Sequence, residues 1–223
     1  MKKTLFIIFS IFITISAISG YDSNGIVSEY NTGNINCLVA TNTNSPTTGT
    51  LNGHDWVDLG LPSGTKWATC NVGANSPTAY GNYYAWGETF TKSEYGESNY
   101  TYSDNPTILP PSADAATANW GNGWRMPTNT EFDELQKRCS WEWKDGGYKV
   151  TGPNGNSIFL PAAGDLDGHA GSYGYYWTSS FELDDDAPWF VIFASDDYDM
   201  GLLIDRYSGL SVRPVCSKCF YAI

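Results

Sequence analysis

Gly123 to Leu135, GWRMPTNTEFDEL, is the stretch with the clearest local signal, and it is short. Thr128 and Glu131 have the spacing of a capping box, in which the Thr hydroxyl accepts from the Glu131 amide and the Glu carboxylate reaches back to the Thr128 amide. Phe132, Leu135 and Cys139 then fall at i, i+3 and i+7, on one face of a helix running to about Cys139. Ala113 to Asn119 allow a second, brief helix. Most of the remaining domain reads as short strands between turns and loops. WVDLGLPSGTKWATCNVG supplies strands around a Pro-Ser-Gly turn, YYAWGE at Tyr83 to Glu88 another, and YKVT and NSIFLPAA flank the turn Gly152 to Gly155 as a hairpin. Tyr-, Ser-, Asn- and Pro-rich loops run to Pro111. Short strands, one or two short helices and long loops predict an α+β domain. YGNYYAW and YGYYW resemble each other, but two similar strands do not make an array.

The flanks of this domain differ in composition. Lys2 and Lys3 precede an apolar run from Leu5 to Ile18, and Ala17 and Ser19 supply the small residues of a cleavage site before Gly20. The run is shorter than the ~20 residues of a spanning helix, so residues 1–19 read as a signal peptide, with no membrane insertion after cleavage. No cysteine follows the cleavage region directly, which argues against a lipid anchor. Residues 20–50, ending in TNTNSPTTGT, are poor in large apolar side chains and read as a flexible linker. The domain is expected over residues 51–217, the size of a single core, with a tail at 218–223. Loss of Lys2 and Lys3 takes the formal charge from −12 to −14. This acidic balance argues against nucleic acid and anionic membranes as partners, because both demand surplus Lys and Arg.

Gly174 to Val215 is the stretch that bears on function. Its ends, YYWTSS and RYSGLSVRPV, suit framework strands. Between Phe181 and Asp205 there is no sustained period of two or 3.6, apart from one apolar run at Trp189 to Ala194. Such a segment between ordered flanks is expected to be a display surface. Its contact residues would be Phe181, Glu182, Asp184, Trp189, Phe190, Asp197, Tyr198, Asp199, Leu203, Asp205 and Tyr207, with the aromatic ones as anchors. The apolar run could equally be a core strand with alternate residues buried.

The blocks WVDLGLPSGTKWATCNVGA, YGNYYAWGE, AATANWGNGWRMPT, EFDEL, YKVTGPNGNSIFLPAAG, GSYGYYWTSS and SGLSVRPV, in one order over about Leu51 to Val215, resemble the Fibrobacter succinogenes major paralogous domain family of secreted bacterial proteins. The resemblance implies a C-type-lectin-like fold related to the formylglycine-generating enzymes, with GWRMPTNTEFDEL as the segment that opens the helix. It does not imply an activity. Gly174 to Val215 also resembles the variable region of retroelement-diversified proteins, in which the middle is rewritten and the framework edges are kept.

Catalytic and metal chemistry have little to build on. His54 and His169 are the only histidines, far apart in sequence, and both read as surface loop residues. GxSxG, SxxK and phosphate-loop motifs are absent, and no cysteine pair precedes the last strand as formylglycine generation would need. Glu182, Asp184, Asp185 and Asp186, with Asp196, Asp197 and Asp199, put hard oxygen ligands on two loops that could face each other around calcium. Asp165 and Asp167 before Gly168 begin like an EF-hand loop without its later ligands. The lectin calcium motifs are absent, and a solvated acidic surface is the favoured account. Five cysteines, Cys37, Cys70, Cys139, Cys216 and Cys219, meet an oxidising compartment after export. Cys70 and Cys139, both in framework, are the expected pair.

The sequence thus predicts a secreted or cell-surface bacterial binding module, adhesin or receptor-like, and not an enzyme, with no cofactor and no metal. Its partner would be an unidentified protein or glycan on a cell or phage surface. The alternative is a structural or accessory domain in a surface or pilus-tip assembly.

Overall fold

The chain divides into two units, Met1–Thr43 and Asn44–Ile223. The computed structural model describes residues 47–166, 168–201 and 204–217, all in the second unit. The expected signal peptide, the linker up to residue 46, the tail 218–223, Cys37, Asp167, Leu203 and Cys219 lie outside the described residues.

The domain is α+β, dominated by short strands. In chain order these are β1 (Thr48–Leu51), β2 (His54–Asp58), β3 (Thr65–Ala68), β4 (Tyr83–Tyr84), helix α1 (Ala115–Trp120), β5 (Trp124–Arg125), helix α2 (Asn129–Arg138) and β6 (Ser140–Lys144). They continue with β7 (Gly147–Thr151), β8 (Ser157–Pro161), β9 (Gly174–Glu182), β10 (Ala187–Ala194), β11 (Asp197–Gly201), β12 (Leu210–Ser211) and β13 (Val215–Ser217). Three sheets result, ordered β1-β2-β3-β13-β5, β11-β10-β9-β12-β4 and β6-β7-β8. All pairings are antiparallel except β12 on β9. Among the described residues, no helix is long and apolar enough to cross a membrane.

The capping box forms as its spacing dictates. Thr128 Oγ1 accepts from the Glu131 amide at 3.2 Å and Glu131 Oε2 accepts from the Thr128 amide at 2.9 Å. The same carboxylate takes two bonds of 2.6 Å from Arg125 and one of 2.8 Å from the Thr65 hydroxyl. Glu131 therefore ties the helix start to β5 and β3. Phe132 and Leu135 are buried, and Cys139 caps the helix through a 3.1 Å amide bond to the Leu135 carbonyl. The hairpin β7–β8 and the strands β2 and β3 around the Pro-Ser-Gly turn also form where expected. The linker does not reach residue 50. Thr48–Thr50 already belong to β1, because β2 offers them a paired edge and Gly49 lies so close over the Trp56 indole that a Cβ would stand 2.5 Å from it.

Two aromatic cores flank the sheets. One gathers Trp56, Trp86, Trp120, Trp124, Trp177, Phe181 and Phe190; the other gathers Trp67, Phe132, Leu135, Tyr148, Tyr176, Val191 and Phe193. Successive residues of β9 and β10 go to opposite cores: Tyr176 and Trp177, then Phe190 and Val191. A strand covered on both faces has no polar side, so it reads as a continuous apolar run rather than an alternation. The run at Trp189 to Ala194 is thus strand β10, paired with β9 on one side and β11 on the other. The middle of the stretch expected to be a display surface is largely framework.

The flanking motifs have structural tasks. Trp177 donates its indole N–H to the Tyr84 carbonyl at 2.7 Å, and Trp86 donates to the Thr178 carbonyl at 2.9 Å. Pro188 lacks a donor, and the β9–β10 register shifts between it and Phe190. The Trp189 carbonyl at this bulge accepts from Thr178 Oγ1 at 2.8 Å. Arg213 of SVRPV is fully buried. Its guanidinium donates to Asn71 Oδ1 and to the carbonyls of Ala68, Thr69 and Phe159 at 2.8 to 3.0 Å, so the buried cation is solvated by protein oxygens.

Candidate functional site

Loop 88–105 is long and polar, so something other than apolar burial must hold it. Glu88 does: its side chain is buried, and Oε1 accepts from the Thr101 amide at 2.8 Å and the Thr101 hydroxyl at 2.7 Å while Lys92 pairs with the carboxylate. Tyr100 is then fixed by donating to the Trp86 carbonyl at 2.7 Å. Burial pushes the Tyr100 phenol up to about 12, against the opposing pull of Arg206, so it works as a neutral hydrogen-bond group.

Arg206 closes the arrangement from the far end of the chain. Its guanidinium lies 5.3 Å from the Trp86 ring centre, 5.4 Å from Tyr100 and 5.2 Å from Phe181, a three-ring cation–π seat. It donates from Nε to the Tyr100 hydroxyl at 2.9 Å, from Nη2 to the Asp104 carbonyl at 2.7 Å and from Nη1 to Asn105 Oδ1 at 2.6 Å. Asn105 in turn donates from Nδ2 to Asp186 Oδ1 at 2.8 Å. One relay thereby joins the 97–105 loop, the β9–β10 turn and the 204–207 loop.

These three segments bound a cleft of about 770 Å³. Tyr100, Tyr102, Pro188 and Tyr207 give it aromatic and apolar walls, and Glu97, Asp186 and Asp205 put carboxylates on it opposite the single cation Arg206. A hydrogen bond to Asp205 raises the Tyr207 phenol above its ordinary range. The lining suits ligand groups that stack and that are neutral or cationic. Among the described residues, no group of three or more His, Cys, Asp or Glu is placed to hold a metal ion.

The expected contact residues scatter. Asp205 and Tyr207 line the cleft. Phe181, 5% exposed, lies beneath it under Arg206, and Phe190, 6% exposed, is core, so neither is a surface anchor. Both were expected at the surface because a doubly covered strand carries no polar marker. Trp189 is half-buried on β10; Glu182 and Asp184 sit at the β9–β10 turn, the first half-buried and the second exposed. Asp197 and Asp199 are exposed on edge strand β11, where Tyr198 stacks on Trp141 at 4.6 Å. Leu203 is not among the described residues.

Three further expectations change. The acidic runs do not face each other, because they occupy opposite ends of β10, whose eight residues span roughly 25 Å. His54 is not in a loop: it opens β2 and stacks on Trp120 at 3.8 Å, whereas His169 is exposed between strands. Cys70 and Cys139 are both free thiols, set against different cores, and no bridge joins them. The residues that sequence reasoning missed are Glu97, Tyr100, Tyr102 and Arg206. The signal available was the Tyr-Thr-Tyr spacing at Tyr100 to Tyr102, inside a loop rich in Ser, Thr, Asn and Glu.

No family model matches this chain, and no match is found among curated proteins or solved structures.

Proposed function

We propose that this protein is a secreted or surface-displayed bacterial binding module, adhesin or receptor-like, belonging to the major paralogous domain family and carrying a C-type-lectin-like fold. The family blocks quoted above support the fold, together with a helix that opens directly after Arg125-Met-Pro. The observation that carries the function is the cleft itself. Three loops remote in sequence are tied by the Arg206–Asn105–Asp186 relay into one aromatic and acidic concavity. Its ligand is a protein or glycan on a cell or phage surface. Diversification by a retroelement would act at exposed positions such as Asp184, Asp197, Asp199 and Asp205 and at half-buried Tyr207, not at Phe181 or Phe190.

The test is binding of the labelled full-length secreted chain to arrays of cell-surface proteins and glycans. Tyr207→Ala and Asp205→Ala should lower affinity for the selected ligand by roughly tenfold or more without moving the denaturation midpoint. Binding indifferent to both substitutions removes the cleft from the contact surface. The accessory-domain alternative is favoured by one observation, the framework role of β9 and β10, and sequencing the locus in several isolates separates the two. Substitutions gathered at the exposed positions support display; uniform drift supports the accessory role.

A further inference from the structure

A second surface, built from different residues, lies around the turn between β8 and β9. Phe190, Tyr175 and Tyr173 form a column of rings: Phe190 and Tyr175 have centroids 6.4 Å apart, and Tyr175 and Tyr173 stack at 6.0 Å with planes 20° apart. The column starts in the core and ends in solvent, with Tyr173 39% exposed. Beside it the His169 ring stands edge-on to Tyr173 at 5.9 Å and 88°, and its Nδ1 lies 3.1 Å from Asp165 Oδ1. Tyr80, also 39% exposed, brings its hydroxyl to within 3.9 Å of where a Cβ on Gly171 would stand.

The backbone is shaped to hold this group. Gly164 has φ +66°, and a Cβ there would meet the Gly168 carbonyl oxygen at 2.2 Å, so the turn closes on itself only with glycine. His169 is held at φ +64°, in the left-handed region that side-chain-bearing residues seldom adopt. Such a conformation costs free energy and persists where the surroundings impose it, a pattern concentrated at functional sites. Among the described residues, the phenols of Tyr80, Tyr173 and Tyr175 donate no hydrogen bond. Burial and then the Asp165 carboxylate push the Tyr175 phenol up, so it stays a donor.

We propose that the exposed ring face of Tyr173, edged by Tyr80, Tyr175 and the His169–Asp165 pair, is a stacking platform for a neutral pyranose ring of a glycan. A pyranose presents flat C–H faces that lie on an aromatic ring and a belt of hydroxyls in its own plane. Here the ring is held rigid from behind, so little side-chain entropy is lost on contact, and hydroxyl, imidazole and carboxylate groups surround it at the belt's level. An apolar protein side chain would use the ring but leave that polar edge without partners. Sialylated and uronate-bearing glycans are disfavoured by Asp165 and by the formal charge of −12. The platform shares no residue with the Arg206 cleft.

The experiment applies the full-length chain to a glycan array carrying common α- and β-linked hexopyranose and N-acetylhexosamine oligosaccharides, followed by calorimetry with the brightest one. Saturable binding to neutral features is expected. Tyr173→Ala should lower affinity at least roughly tenfold, while Tyr173→Phe keeps most of it, because the ring face and not the hydroxyl makes the stack. His169→Ala should change the ranking among sugars. A drop in glycan affinity for Tyr207→Ala with none for Tyr173→Ala would put the sugar in the Arg206 cleft and overturn the platform, which keeps failure at the cleft separate from failure here. Silence across the neutral features, binding confined to anionic ones, or binding that survives Tyr173→Ala in a chain of unchanged circular dichroism would overturn the proposal. So would a Tyr173-dependent contact with a deglycosylated protein in the absence of any glycan signal.

Discussion

Arg206 donates from Nε to the Tyr100 hydroxyl at 2.9 Å while its guanidinium sits 5.4 Å from the centre of the same ring, so one side chain both stacks on and hydrogen-bonds to a residue 106 positions earlier. Lysine would keep the charge but lose the planar fork that also reaches Asp104 and Asn105. Arg206→Lys should therefore lower stability by about 1 to 3 kcal/mol, the sum of a cation–π seat and one or two charged hydrogen bonds. Denaturant midpoints check this. An unchanged midpoint would mean that the 97–105 and 204–207 loops are held by other contacts.

Burial on β9 and β10 separates costly positions from tolerant ones. Trp177→Ala and Phe190→Ala each remove a ring from the same core and should cost about 3 to 5 kcal/mol. Asp184→Ala and Asp197→Ala, both exposed, should stay within ~0.5 kcal/mol. Trp189→Ala, half-buried, should cost less than Phe190→Ala. If Phe190→Ala proves neutral, β10 does not pack as described.

Acid should find the Glu131 hub. Burial works to raise this carboxyl, but the Arg125 hydrogen bonds and charge, the Thr128 amide and the Thr65 hydroxyl outweigh it, and the net effect is a value below the ordinary 4.5. A carboxyl depressed in the folded state contributes stability above its unfolded value, and that contribution is lost as pH falls through the folded one. Thermal midpoints should decline below about pH 4.5, and Glu131→Gln should be less stable at neutral pH with a flatter acid limb. An acid limb as steep in Glu131→Gln as in the parent would assign the loss to other groups.

Thiol chemistry offers an independent check on the two cores. Peptide mapping of the secreted chain without reduction should recover Cys70 and Cys139 in separate, unlinked peptides. Burial, with Glu134 assisting, pushes the Cys139 thiol up to about 11, so its alkylation at pH 8 should be slow until the domain is unfolded. A Cys70–Cys139 linked peptide would require the two cores to be arranged differently.

By itself the sequence determined what is local. The Thr128 to Glu131 spacing specifies the start of α2, the turns at Pro62-Ser63-Gly64 and Gly152 to Gly155 specify which strands become neighbours, and the mixture of short strands with one well-marked helix specifies the α+β class. Each of these depends on contacts a few residues long, which spacing encodes. Only the tertiary structure decided which apolar residues are surface and which are core in β9 and β10, because two cores erase the alternation that would have told them apart. Nor could spacing show that the acidic runs stand at opposite ends of one strand, or that Cys70 and Cys139 face different cores. The cleft was least visible of all. Asp205 and Tyr207 lie in the stretch expected to make contacts, yet their partners Glu97, Tyr100 and Tyr102 come from a loop about 100 residues earlier, joined to them through Arg206, and nothing in a linear pattern records a hydrogen bond made across that distance.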